Sequence, residues 1–250
     1  MAKGFDCSTP LTGQTAAAFA ADGYEFVCRY LVPSGYKRLT REEAELITAA
    51  GLQIVSVFET TADRALGGRS AGLADGATAL QVAQAIGQPE GSCIYFAVDF
   101  DATGAQMSTV IEYIRAASEA TPQYTTGVYG SYAVVEAVLA AGACSHFWQT
   151  YAWSKGQKSA AAHIYQYRND IVVNGINIDL DESYGNEGWW NTNTGNSGGG
   201  EDIVLDPGVA QTIINTWISP AWFETDDQEQ KDYLHWLANE LRRAAGLPEE

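Results

Sequence analysis

The sequence predicts an α/β protein: a (β/α)8 TIM-type barrel with some helices missing, plus a short C-terminal helical appendage. Three observations predict it. Short apolar segments alternate with helical ones, the pattern of parallel βα units. Eight strand segments are countable, the number that closes such a barrel. The chain has 250 residues, 46% hydrophobic and only 18% charged, which suits one core of barrel size.

The first strand is Gly4 to Cys7. An Ala-rich helix follows over about Gln14 to Ala21, and Asp22-Gly23 stops it. The second strand, Glu25 to Val32, ends in the turn signal Pro33-Ser34-Gly35. Thr40-x-x-Glu43 is a capping box and opens a helix that ends before Gly51. The third strand is Gln53 to Glu59, followed by a helix pattern over about Ser70 to Ile86. The fourth is Cys93 to Asp99, with a helix from about Gln106 to Ala120. The fifth is Thr125 to Tyr129, with a helix from Tyr132 to Ala141. The sixth, seventh and eighth are His146 to Tyr151, His163 to Tyr167 and Ile176 to Leu180. About ten residues join strands six and seven, too few for a crossover helix. No helix follows strand eight. The expected barrel is therefore incompletely clad and occupies residues 1–190.

Residues 191–202 are rich in Gly, Asn and Ser and read as a linker. Residues 203–250 hold two helix candidates. One runs from Pro207 to Ile218 and is ended by Ser219-Pro220. The other runs from about Asp227 to Ala245, with Leu234, Leu237 and Leu241 at helical spacing. Two helices bury little alone. This region is expected to dock on the barrel, self-associate or bind a protein partner.

The net charge is −17, which repels phosphate backbones and argues against a nucleic-acid partner. No P-loop and no GxGxxG occurs, so no nucleotide cofactor is expected. The four cysteines form no CxxC pair, and His146, His163 and His235 have no metal-ligand spacing, so no zinc site is expected. Cys7, Cys28 and Cys93 lie in or beside apolar strands and read as buried free thiols. The N-terminal residues lack the apolar stretch of a signal peptide, and no apolar run has membrane-spanning length. Synthesis in the cytoplasm without a signal peptide, and no membrane association, are the expectations.

Residues 191–250 carry 11 acids and 3 bases, a charge of −8 that reads as solvation. The barrel acids are fewer but better placed. In a βα barrel the active site lies at the C-terminal strand ends. Asp6 ends strand one, Glu59 strand three, Asp99 strand four and Asp179 strand eight, with Asp101 and Asp181 two residues on. Residues i and i+2 of a strand share a face. Six carboxylates are thus expected around one rim, where mutual repulsion holds at least one protonated. A proton-bearing carboxyl beside an ionised one is what glycoside hydrolysis needs. Arg29, Tyr30, Tyr129, Trp148, Gln149, Gln166 and Tyr167 end other strands and suit a carbohydrate through stacking and hydrogen bonds. Single strand-end aspartates also serve as turn or cap residues, and Asp-x-Asp is also compatible with Ca²⁺ or Mg²⁺. Trp189-Trp190 is expected to pack on the barrel bottom or wall.

Gly4-Phe5-Asp6-Cys7-Ser8, Tyr95 through Asp101 and Ile178-Asp179-Leu180-Asp181 resemble a glycoside-hydrolase-like TIM-barrel family once listed as a domain of unknown function. That family is similar to the family-25 glycoside hydrolases, lysozyme-like muramidases of bacteria and phages. The resemblance covers residues 1–190. It implies catalytic roles for Asp6, Asp99, Asp101 and Asp179, with the general acid at Asp101. The family has Glu at that position, and Asp is one methylene shorter. Substrate contacts are expected at Arg29, Tyr30, Glu59, Tyr129, Trp148, Gln149, Gln166 and Asp181. The resemblance implies peptidoglycan as substrate, action at the cell wall and a phage or prophage lysin setting. The rivals are a non-catalytic glycan-binding barrel of a phage tail or wall assembly, and a structural or metal-stabilised assembly protein.

Overall fold

The computed structural model describes residues 1–193, 206–245 and 247–248. They fall into two units, residues 1–199 and 200–250.

The first unit is a closed eight-stranded barrel in sequential order. Its strands are β1 (Ala2–Asp6), β2 (Phe26–Tyr30), β3 (Gln53–Phe58), β4 (Cys93–Ala97), β5 (Thr125–Gly130), β6 (His146–Thr150), β7 (Ile164–Val173) and β8 (Ile176–Ser183). Five helices clad it: α1 (Gly13–Ala21), α2 (Arg41–Ala49), α3 (Gly68–Ile86), α4 (Met107–Ala120) and α5 (Tyr132–Ala140). Thr12, Thr40 and Ser131 cap α1, α2 and α5 by accepting a backbone N–H. The Thr40–Glu43 capping box is only half formed. Thr40 accepts the Glu43 N–H, but the Glu43 carboxylate turns to the buried Arg29 instead.

Strands β1 to β7 run parallel. Strand β8 runs antiparallel to both β7 and β1. The barrel with missing helices is as expected, but its last strand departs from the parallel pattern of the βα units. β7 continues five residues past Arg168, turns at Asn174-Gly175 and returns directly as β8. Both turn residues have positive φ, 51° and 77°, the backbone of a two-residue hairpin turn. Register shifts between Gln166 and Ile171 bend the hairpin. Ile176 and Ile178 join the Phe5–Phe19 core, and Ile171 and Val173 pack against it. The Asn174 amide reaches Asp22 at the end of α1. The distal hairpin thus covers the wall that a final helix covers in a complete barrel.

Two apolar layers result. Phe26, Cys28, Val55, Val57, Cys93, Tyr95, Ala97, Trp148 and Ile164 fill the lower interior. The outward residues, among them Phe5, Val27, Ile54, Ile94, Phe96 and Val128, pack with the helices. Trp190 is buried against the wall, donating to Ser56, and Trp189 contacts Phe26. Asn191 and Thr192, expected in the linker, still bond to Gln53 and Thr48 of the barrel. Asn193 donates its backbone N–H to Asn191 Oδ1, and residues 194–202 of the expected linker lie outside the described residues.

The second unit contains α6 (Pro207–Ile213), α7 (Ser219–Glu224) and α8 (Gln228–Ala244), around Ile214, Ile218 and Ala238. Ser219-Pro220 does not end the first helix. A π turn at Ile214–Ile218 carries it on into α7. Proline lacks the N–H and crowds the carbonyl four residues back, and a widened turn relieves both. No described helix is long and apolar enough to cross a membrane.

Candidate active site

At the C-terminal ends of the parallel strands lies a cavity of about 220 Å³. It is lined by Asp6, Tyr30, Val57, Glu59, Asp99, Tyr129, Trp148, Gln166, Asn169, Asp170 and Asp179. A larger hollow of about 760 Å³ lies at the strand starts, around Ala2, Ser92, Thr125, His146 and Trp189. None of the rim aspartates reaches it. In barrels of this kind the strand-start face serves stability and the strand-end face serves chemistry. The smaller cavity is the candidate site.

Asp6 is the last residue of β1 and pairs with Asp179 across the antiparallel β1–β8 ladder. Gln166 Nε2 donates to Asp6 Oδ2 at 2.8 Å and to Asp179 Oδ2 at 3.2 Å. Gln166 Oε1 accepts from the Tyr129 hydroxyl at 3.0 Å and Thr150 Oγ1 at 2.7 Å. The Asp170 backbone N–H donates to Asp179 Oδ1 at 2.8 Å. Asp170 has φ 56°, so the bend in β7 aims this N–H at the site. Lys37 Nζ lies 3.1 Å from Glu59 Oε1 and sits over the Tyr30 ring.

Burial raises the proton affinity of these acids. Asp6 is pushed up to about 7, first by desolvation and then by the charge of Asp179; the Gln166 hydrogen bond opposes both. Burial and neighbouring Glu59 hold Asp99 above its ordinary value, and Lys37 opposes. Burial raises Asp179 as well. Asp181 stands well above the carboxylate range, through burial and the charge of Asp6. The site therefore holds carboxyls of differing proton affinity within one small space, the condition for acid–base work near neutral pH.

Of the residues singled out in the sequence, the structure brings Asp6, Tyr30, Glu59, Asp99, Tyr129, Trp148, Gln166 and Asp179 to this cavity. Four lie elsewhere. Asp101 is exposed and does not line the cavity. β4 ends at Ala97, so strand alternation no longer governs Asp99 to Asp101. Arg29 faces outward under α2, where it pairs with Glu43 at 2.7 Å and bonds to the Cys7 carbonyl. Gln149 also faces outward. Its amide holds the β6–β7 connection through Gln157 and Ser159. Asp181 faces inward but lies below the cavity, fully buried, with Oδ1 accepting from Trp148 Nε1 at 2.8 Å. Because β8 runs antiparallel, Asp181 is deeper than Asp179, not beyond it. Asn169 and Asp170 line the cavity and were missed, because the bend that brings them there is a tertiary feature. His146 and His163 sit at strand starts with depressed proton affinity caused by burial. Among the described residues, no group of three His, Cys, Asp or Glu is arranged to hold a metal ion.

A closed barrel with carboxyls gathered at its strand ends and an antiparallel last strand defines a glycoside-hydrolase-like protein. The chain belongs to the Rv2525c-like, glycoside hydrolase-like domain family, whose model matches residues 17–184. It is 30% identical over 154 residues to Rv2525c of Mycobacterium tuberculosis, whose name proposes it as a peptidoglycan hydrolase; the match covers 58% of this chain and 63% of that protein. The crystal structure of that Tat-secreted protein superposes with TM-score 0.68 at 25% identity, covering 76% of this chain and 98% of the other. A glycosyl hydrolase 25 of Streptococcus pneumoniae, a virulence factor, shares the fold alone, with TM-score 0.50 and 10% identity over 73% of this chain and 86% of that one.

Proposed function

We propose that the chain is a peptidoglycan glycosidase of muramidase-like type, acting at the cell wall by carboxyl acid–base chemistry. The observation that carries this reading is the meeting of Asp6, Asp99, Asp179 and Glu59 on one cavity, with Asp6 held at about 7. In this reading Asp6 gives its proton to the leaving glycosidic oxygen. Asp99 stabilises the positive charge at the anomeric carbon or activates the attacking water. Asp179 repels negative charge on Asp6 and so keeps its proton in place until transfer. Tyr30, half-buried at the cavity, offers a sugar-stacking surface, while the buried Tyr129 and Trp148 form its floor. Asp101, exposed outside the cavity, has no part in the reaction. The kinship with a Tat-secreted protein supports a place of action outside the cytoplasm; the phage-lysin setting stays part of the proposal.

One observation favours a second reading, a glycan-binding barrel without turnover. The position where the resemblance implies the general acid lies outside the cavity. Reducing-end release from purified cell walls separates the two. Hydrolysis predicts release by the native chain and a fall of about 10²-fold or more in Asp6→Asn and Asp99→Asn. Asp101→Asn is expected to stay within about twofold, as surface substitutions do. Binding to wall fragments with no release overturns the enzyme reading in favour of the second.

A further inference from the structure

Below the cavity Asp181 lies on the same inward face as Asp6, one diagonal step away across the β1–β8 ladder, and is fully buried with Oδ2 unpartnered. Ionised carboxylates are acceptors only, so a hydrogen bond between the two acids exists only with a proton on one of them. We propose that Asp181 keeps that proton and donates it to Asp6, which makes Asp181 the positioning residue that orients Asp6 and receives its charge. The functional part of this inference rests on the acid–base reading of Asp6; the placement of the proton does not.

Three features assign the proton to Asp181. First, Asp181 is fully buried, and its two oxygens are treated unequally. Oδ1 accepts the Trp148 N–H, while Oδ2 is buried without a hydrogen-bond partner. A charged oxygen left without a donor in such a place is costly, whereas a protonated one needs only an acceptor. Asp6 is that acceptor. Second, Asp6 is better equipped for the charge, because it borders the cavity and also accepts from Gln166. Third, among the described residues no Lys or Arg forms an ion pair with either acid. Titratable groups near Asp181 include Asp6 on β1, Cys28 on β2, Tyr129 on β5, Tyr167 on β7 and Asp179 on β8. None carries positive charge. Burial together with Asp6 and Asp179 raises Asp181 well above the carboxylate range, in agreement.

The proton balance is simple. When Asp6 passes its own proton to a leaving oxygen, the charge left on Asp6 is received by the Gln166 N–H and the Asp181 O–H. Asp181 neither gains nor loses a proton in the step. An Asn at 181 replaces the O–H donor by N–H; a Leu does not.

Infrared spectroscopy and carboxyl NMR on the whole chain test this without substrate. At about pH 8.5, above the value near 7 for Asp6, the native chain is expected to show one buried protonated-carboxyl band. Asp181→Asn abolishes it, and Asp6→Asn shifts it without removing it. Asp181→Asn is expected to leave the Asp6 titration within about half a unit, while Asp181→Leu raises it by about one unit, a tenfold rise in proton affinity. Absence of the band from the native spectrum overturns the proposal, whether or not the variants fold. So does its survival in Asp181→Asn, or a fall of one unit in Asp6 in that variant, the mark of a lost negative charge. Failure to hydrolyse wall glycan would sink the catalytic reading and leave these spectra as they are.

Discussion

Gln166 holds Asp6 in place: its Nε2 donates to Asp6 Oδ2 at 2.8 Å, while its Oε1 is occupied by Tyr129 and Thr150. The carboxylates on one side need donors, and that fixes which end of the amide faces them. The same N–H group reaches Asp179. One side chain from β7 therefore links acids of β1 and β8. Gln166→Leu removes the donor that favours charged Asp6. We expect the Asp6 titration to rise by about one unit, worth roughly 1.4 kcal/mol, and the alkaline limb of any wall-glycan turnover to move up with it. Carboxyl NMR titration measures this; an unmoved Asp6 would deny the link.

The raised carboxyls give stability a pH dependence of definite sign. Asp6 is raised from 3.8 to about 7, so between those values the folded chain binds more protons than the unfolded one. Stability then falls as pH rises through that window and stays at its lowest level above it. Asp99 and Asp179 act in the same sense. His146, lowered to about 4, acts in the opposite sense. Comparing Asp6→Asn with the native chain cancels His146 and isolates Asp6 together with the acids whose charge acts on it. We expect the two to be similarly stable near pH 4, and Asp6→Asn to be the more stable above pH 7, by up to about 4 kcal/mol. Urea midpoints across that range check it.

Strand count, strand order and the acids of β1, β3 and β4 were legible because apolar runs and chain order report them directly. The direction of β8 was misread, although its signal was present: Asn174-Gly175 between apolar residues is a hairpin turn. The segment between strands seven and eight was not read as a turn. The outward placement of Arg29 and Gln149 was a matter of parity. In β2, Cys28 and Tyr30 face inward, so Arg29 between them cannot. Asp101 failed for a different reason, since alternation holds only while the strand lasts. Asn169 and Asp170 were illegible, because a bulge sets where they point.

Arg29 and Glu43 make a separable structural prediction. Both are buried, and Glu43 Oε1 also accepts the Leu11 N–H at 2.8 Å. Arg29→Met leaves Glu43 buried and unpaired, which costs about 3–5 kcal/mol. Arg29→Met/Glu43→Leu is expected to recover part of that loss, since neither charge remains. Glycan binding below the melting temperature should survive in both, because neither residue borders the cavity. A loss of binding in the folded Arg29→Met protein would restore Arg29 to the site.

The distal hairpin couples packing to the site. Ile178 is 1% exposed in the outer core, and its neighbour Asp179 points to the opposite face and accepts the Asp170 N–H. Ile178→Ala is expected to cost about 2–5 kcal/mol from lost burial and the cavity left behind. It should also loosen the bend that aims the Asp170 N–H. Hydrogen exchange at the Asp170 amide should then accelerate more than exchange in β3 or β4, far around the barrel. Equal acceleration everywhere would mean that the hairpin only contributes to global stability. A selective increase would show that the segment standing in for the missing helix also holds Asp179 at its post.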